Sequence, residues 1–276
     1  MLKKLLKYDL KAIFKFWWLA AAFSVVMSVI GGLSISILAS ENERIPEIVE
    51  FTSGLTVFFT VFSFAIVPMV TFVLLFARVY KNFYTDEGYL TFTLPVTRGQ
   101  LINSKLISGI IVDFTSGAII VFDILLMLCI GLAKYIFTKD FLTDFIDIIT
   151  ETVDFLGVFT FVYLIEAFLI TFLGTVFSIL FLYNCITLGS IITKKLKLLL
   201  SIGVYYFANS IFSTIIQIFY MFGIQSIAEK LISLSSGEIM LVVALLALVI
   251  ILFLSIFCGI LYTLQYWMLD RKLNLS

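Results

Sequence analysis

TDEGYLTFTLPVTRGQLINSK, residues 85–105, is the longest polar-containing interruption with internal order in a chain that is otherwise mostly apolar. Asp86, Glu87 and Gly88 are suited to starting a short helix, Tyr89, Leu90, Phe92 and Leu94 supply its apolar knobs, and Pro95 stops it. Thr97 followed three residues later by Gln100 has the spacing of a capping box, with Val96 and Leu101 placed as a hydrophobic staple. A second helix is therefore predicted to begin at once, and the stretch reads as a shaped protrusion too short to be a domain.

Outward from that stretch, the composition places the chain. Of 276 residues, 62% are hydrophobic and 13% charged, and 30 are Phe, against the roughly 45–50% apolar content of soluble domains. The mean hydropathy of +1.17 points the same way. The expected fold class is an all-α membrane protein. Net charge is zero and histidine is absent, which excludes histidine-based catalysis, metal ligation and pH switching. Cys129, Cys185 and Cys258 lie in or beside apolar runs without metal-ligand spacing and read as packing residues; no metal site is expected.

The first fifteen residues set Leu2, Leu5, Leu6, Leu10, Ile13 and Phe14 against Lys3, Lys4, Lys7, Lys11 and Lys15, the pattern of a basic amphipathic helix on an anionic membrane surface. The next apolar run, 16–39, is about twice the length of a signal-peptide core and is read as a retained span. Five more runs, near 52–77, 106–133, 155–179, 198–222 and 239–268, each reach the ~20 residues that cross ~30 Å of hydrocarbon. Six spans put both termini on one side. Gly31-Gly32 and Pro68 are expected as close-contact or kink positions. With the N-terminus inside, fourteen of the 18 bases, Arg78, Arg98, Lys105 and Lys194 among them, are cytoplasmic, as positive charge retention requires.

The outer connections carry most of the acids. Residues 135–154 space Phe141, Phe145, Ile148, Ile149 and Val153 among five of them; an amphipathic helix over the bundle mouth and a solvated acidic loop are both compatible with that pattern. Residues 223–238 are compatible with a short re-entrant hairpin.

Within the apolar runs, Asp113, Asp123 and Glu166 have no base at their depth. Asp123 and Glu166 each sit roughly 15 Å in, at 1.5 Å per residue. Facing each other they would share or hold protons as part of a substrate path; the other reading is neutral acids hydrogen-bonded to Thr115 or Ser116. Two polar stripes recur at helical spacing: Thr56, Thr60 and Ser63 on the second span, and Asn209, Ser213 and Gln217 on the fifth. They line either a helix contact or a translocation path. For the protrusion, the knobs suit either a groove on a soluble partner or an interfacial rest on headgroups. No GxxxxGK[ST] loop occurs, so nucleotide hydrolysis by that route is not expected on this chain.

The string from Asp86 to Arg98, with Gln100-Leu101 and Ser104-Lys105, resembles the first cytoplasmic loop of ABC-2 type exporter permeases of Gram-positive bacteria. The ending Leu269-Asp270-Arg271-Lys272-Leu273-Asn274-Leu275 is similar to the tail of the same permeases, and the N-terminal basic helix to their connecting helix. The resemblance implies one transmembrane permease domain over 1–276, with 1–15 as the connecting helix and 84–105 as the cytoplasmic coupling loop. Asp86, Glu87, Tyr89, Leu90, Phe92, Leu94, Pro95 and Arg98 would then couple to a separate ATPase subunit, which would hold ATP and Mg. The chain itself would carry no cofactor and would not be an enzyme. It would pair with a second permease half, identical or related, in the bacterial plasma membrane with both termini cytoplasmic, in contact with lipid and not nucleic acid. The implied cargo is a hydrophobic or amphipathic compound, an antimicrobial peptide, drug or lipid. A proton-coupled secondary transporter using Asp113, Asp123 and Glu166, or a non-transporting immunity or scaffold protein, are the alternatives.

Overall fold

The computed structural model describes residues 2–40, 46–85, 88, 93, 95–136, 138–193, 196–231 and 235–271. All regular structure among them is helical: α1 Leu2–Leu38, α2 Glu47–Phe64, α3 Ile66–Tyr84, α4 Arg98–Gly131, α5 Ala133–Ile136, α6 Lys139–Leu156, α7 Phe159–Ile192, α8 Lys197–Leu231 and α9 Ser236–Arg271. Six helical segments are long and apolar enough to cross a membrane: α1, the α2–α3 pair, α4, α7, α8 from Lys197 to Ile218, and α9 from Gly237 to Asp270. Most run 34 to 38 residues, about 50–57 Å at 1.5 Å per residue, so they extend beyond the ~30 Å hydrocarbon layer.

Several boundaries differ from the sequence reading, each for a local reason. α1 passes through Lys15–Phe16 without interruption, because no Gly or Pro precedes Gly31; the basic segment 2–15 is the first part of one long helix. Its lysines are exposed, while Asp9, Ile13 and Trp17 are buried. The second apolar run is two helices, broken at Ala65. Pro68 has no N–H for the Phe64 carbonyl and its ring crowds that turn, and the Ala65 N–H bonds the Phe62 carbonyl at 3.2 Å instead. α8 continues as helix to Leu231, so a hairpin starting at 223 does not form.

One local prediction is met, and one stretch the sequence left open is decided. The Thr97 N–H donates to Gln100 Oε1 and the Gln100 N–H to Thr97 Oγ1, both at 3.3 Å, a reciprocal capping box that starts α4 at Arg98. Residues 139–156 form a helix and not an acidic loop.

The chain forms two compact units. One comprises residues 1–78 and 107–152, the other 79–106 and 153–276. In the first, α1 packs on α2 through small side chains. A Cβ at Gly31 would stand 2.6–2.8 Å from the Thr60 side chain, and one at Gly32 within 2.8–3.0 Å of Ile130 and the Met127 carbonyl. Gly31 and Gly32 are thus contact points at which helices approach closely. Deeper in, the Trp17 indole N–H donates to Thr71 Oγ1 at 2.9 Å and Ser116 Oγ at 3.0 Å, and those two hydroxyls are 2.6 Å apart. Nearer the N-terminus, buried Asp9 pairs with Arg78 at 3.1 Å.

In the second unit, α7 packs against both α8 and α9. Gly189 lets the α8 backbone approach, since a Cβ there would sit 2.5 Å from Ser201 Cα and N. Phe177 and Phe181 pack against Phe212 and Tyr205 across the same pair in tilted and edge-to-face contacts. Asn184 Nδ2 bridges to the Leu261 carbonyl of α9 at 3.0 Å.

Candidate functional site

The protrusion is the sequence feature with most chemistry in its side chains. Asp86, Glu87, Tyr89, Leu90, Phe92 and Leu94 lie outside the described residues. Both ends of the stretch are described, and both are tied into the second unit. On entry, Tyr84 closes α3. Its hydroxyl is 2.5 Å from Thr187 Oγ1 of α7, and Gln265 Nε2 of α9 donates to the same oxygen at 2.9 Å. All three side chains are nearly inaccessible, with Gln265 at 1% exposure. The Gly88 N–H bonds the Thr85 carbonyl at 2.7 Å.

On exit, Pro95 is exposed and Arg98 reaches across to the end of α9. It donates to the Leu269 carbonyl and lies 3.4 Å from Asp270 Oδ1. The last four carbonyls of a helix have no intrahelical donor, so a cation there is favoured by both hydrogen bonding and the helix dipole. The ion pair itself is about half exposed on both sides and contributes little. Two more contacts follow: Tyr262 OH donates to Asn103 Oδ1 at 3.0 Å, and Tyr183 OH to the Lys105 carbonyl at 3.0 Å. A stretch beginning after Tyr84 and ending at Arg98 is therefore clamped on the ends of α7 and α9.

Asp123 belongs to the first unit and Glu166 to the second. Asp123 is fully buried and Glu166 is 5% exposed, and neither carboxylate has a hydrogen-bond partner among the described residues. The Ser24 hydroxyl lies within reach of Asp123 but donates to the Ala21 carbonyl at 2.9 Å. Ser116 and Thr115, the expected partners, both donate to the Val112 carbonyl. Asp113 is partly exposed and has interactions of its own.

The two polar stripes have opposite surroundings. Thr56 Oγ1 is 2.8 Å from Ser34 Oγ of α1, Thr60 Oγ1 donates to the Met27 carbonyl at 3.2 Å, and Ser63 is buried; this stripe lies in the α1–α2 contact. Asn209 and Gln217 are exposed and Ser213 is partly so, its hydroxyl bonded to the Ser210 carbonyl of its own helix. α8 and α9 are each only 6% buried across their spanning parts, against 22–33% for the first four spans.

Sequence reasoning missed the Tyr84–Thr187–Gln265 cluster and the Asp9–Arg78 pair. The second had a visible signal, a lone acid among five lysines. The first had none, since its members are 103 and 78 residues apart.

Six apolar helices and buried polar groups that pair helix to helix define the class as a multi-pass, all-helical membrane protein. No protein-family model matches the chain, and neither a curated protein nor a solved structure matches it.

Proposed function

We propose that this chain is the permease subunit of an ABC-2 type exporter in the bacterial plasma membrane, moving a hydrophobic or amphipathic compound with energy from a separate ATPase. The observation that carries the reading is the clamping of the protrusion at both ends. Tyr84 on one side and Arg98, Asn103 and Lys105 on the other are bonded to α7 and α9, so a push on the protrusion would be delivered to two spanning helices. The knobs Tyr89, Leu90, Phe92 and Leu94 would seat in the ATPase, which binds ATP and Mg, and both termini would be cytoplasmic. A second permease half, a copy or a relative, would cover the exposed Asn209, Ser213 and Gln217 stripe, which is unfavourable against lipid. The favoured cargo is an antimicrobial peptide.

The test is purification from the native host in mild detergent with mass spectrometry of stoichiometric partners. A soluble P-loop ATPase is expected. Its absence even with nucleotide and lipid present overturns the reading.

A second reading, a proton-driven transporter, is favoured by the two buried carboxyls without partners, Asp123 and Glu166. It predicts transport that collapses with the proton gradient and survives loss of any ATPase.

A further inference from the structure

The connection between the third and fourth spans has a built form that the transport reading does not use. α6 is a complete helix with both ends finished. Thr138 Oγ1 accepts the Phe141 N–H at 3.3 Å at its start. At its end Gly157 adopts φ 51° and its N–H bonds the Val153 carbonyl at 2.7 Å, the single-bond left-handed stop that glycine favours. At about 100° per residue, Phe155, Ile148, Phe141, Phe145, Ile149 and Ile146 fall on one half of the cylinder. Asp144, Asp147, Glu151 and Asp154 crowd an arc of roughly 80° on the other. The segregation is nearly complete. Thr152, the hydroxyl inside the apolar arc, donates to the Ile148 carbonyl at 2.7 Å.

Yet among the described residues the apolar side is largely uncovered. Phe145, Ile146, Ile148 and Phe155 are 52–69% exposed, and Phe141 and Phe145 stack on each other, 6.1 Å apart. What covers it is set by where the helix is tethered. Leu156 is three Cα steps from Phe159, at most about 11 Å, and the apolar α7, whose one charged residue is Glu166, begins there. At the other end, Lys134 is the first charge after the apolar end of α4. Both tethers therefore fall at a membrane boundary, where the headgroup layer is roughly 5–8 Å thick on each side. A helix of 18 residues, about 27 Å long, held there with one apolar half has a ready solvent for it.

We propose that α6 is an interfacial helix, lying flat in the headgroup layer with Phe141, Phe145, Ile148 and Ile149 in lipid and its carboxylate face in water. Interfacial helices commonly carry bases on the polar face. This one carries acids, so anionic headgroups repel that face and fix its roll angle. The inference is independent of what, if anything, the chain transports.

The test uses the full chain with Cys129, Cys185 and Cys258 replaced by alanine and one cysteine introduced by Phe145→Cys, Ile148→Cys, Asp147→Cys or Asp154→Cys. Each is labelled with an environment-sensitive fluorophore and reconstituted in phosphatidylcholine vesicles. Labels at 145 and 148 are expected to emit to the blue, to be quenched by lipid-borne nitroxide and to resist aqueous iodide several-fold better than those at 147 and 154. Equal iodide quenching at all four positions overturns the proposal. So does protection at 145 and 148 that disappears on dilution to one chain per vesicle, which marks a second copy as the cover. Protection that appears only on adding a cationic amphipathic peptide also overturns it. The paired apolar sites keep the result readable where one label disturbs folding.

Discussion

Thr187→Val removes one hydroxyl and almost no volume from the cluster that holds the entrance of the protrusion. In the native protein Thr187 Oγ1 meets the Tyr84 hydroxyl at 2.5 Å and Gln265 Nε2 at 2.9 Å, with Tyr84 6% and Gln265 1% exposed. Valine leaves both groups facing a methyl in a dry contact, and a buried polar group left without its partner costs about 1–3 kcal/mol. Gln265 and Ser190 are close enough to Tyr84 to take back part of its bonding, so the total is also about 1–3 kcal/mol, one lost group and not two. At roughly 2–4 °C per kcal/mol for a chain of this order of size, unfolding should shift down by about 2–12 °C. The assay is thermal loss of the monodisperse peak of purified protein in mild detergent. The double variant Tyr84→Phe with Thr187→Val replaces two partners by apolar groups of similar shape, which can be nearly neutral, so it should recover part of the loss. A Thr187→Val protein as stable as wild type, or a double variant whose deficits simply add, refutes the reasoning that this cluster is a mutually satisfied buried network.

Other substitutions test neighbouring links. Gly189→Ala should destabilise by about 1–3 kcal/mol, because its Cβ meets Ser201 backbone at 2.5 Å. Gly174→Ala, with nothing within 4 Å, should be neutral or gain up to ~1 kcal/mol of helix propensity; the same unfolding assay compares them. Phe92→Ala with Leu94→Ala should release the ATPase during co-purification while the permease stays monodisperse, and retained complex argues against the coupling assignment. Arg98→Ala should leave the ATPase bound yet lower transport per ATP hydrolysed, with Arg98→Lys restoring part of it; unchanged stoichiometry of transport removes the clamp from the mechanism. Asp123→Asn and Glu166→Gln should leave ATP-driven transport standing in vesicles with no proton gradient, whereas transport that tracks the gradient and dies in both variants favours the proton-driven reading.

Much of the architecture was legible because hydropathy and capping are short-range. Six apolar runs gave six spanning segments, and Thr97 with Gln100 announced the start of α4. Pro68 marked the α2–α3 break, though as a kink and not a full interruption, since whether a freed carbonyl ends a helix depends on what else can bond it. Residues 135–154 were ambiguous because acids alternating with Phe and Ile satisfy both a solvated loop and an amphipathic helix. Thr138 and Gly157, acting at the two ends, decided for the helix.

The sequence by itself determined the solvent of each segment, the helical state of the apolar runs and the local caps, because these follow from transfer of side chains to lipid and from hydrogen bonds within a few residues. Only the tertiary structure decided which faces meet. Thr56 and Thr60 bond across to α1 and Ser63 is buried, while Asn209 and Gln217 stand open, although both stripes recur at helical spacing. Tyr84, Thr187 and Gln265 converge from three helices, and Arg98 finds the end of α9. Lipid chains solvate Leu, Ile and Phe on any side of a helix, so hydropathy cannot choose a rotation. The choice falls to close packing at Gly31, Gly32 and Gly189 and to buried polar groups that must find one another.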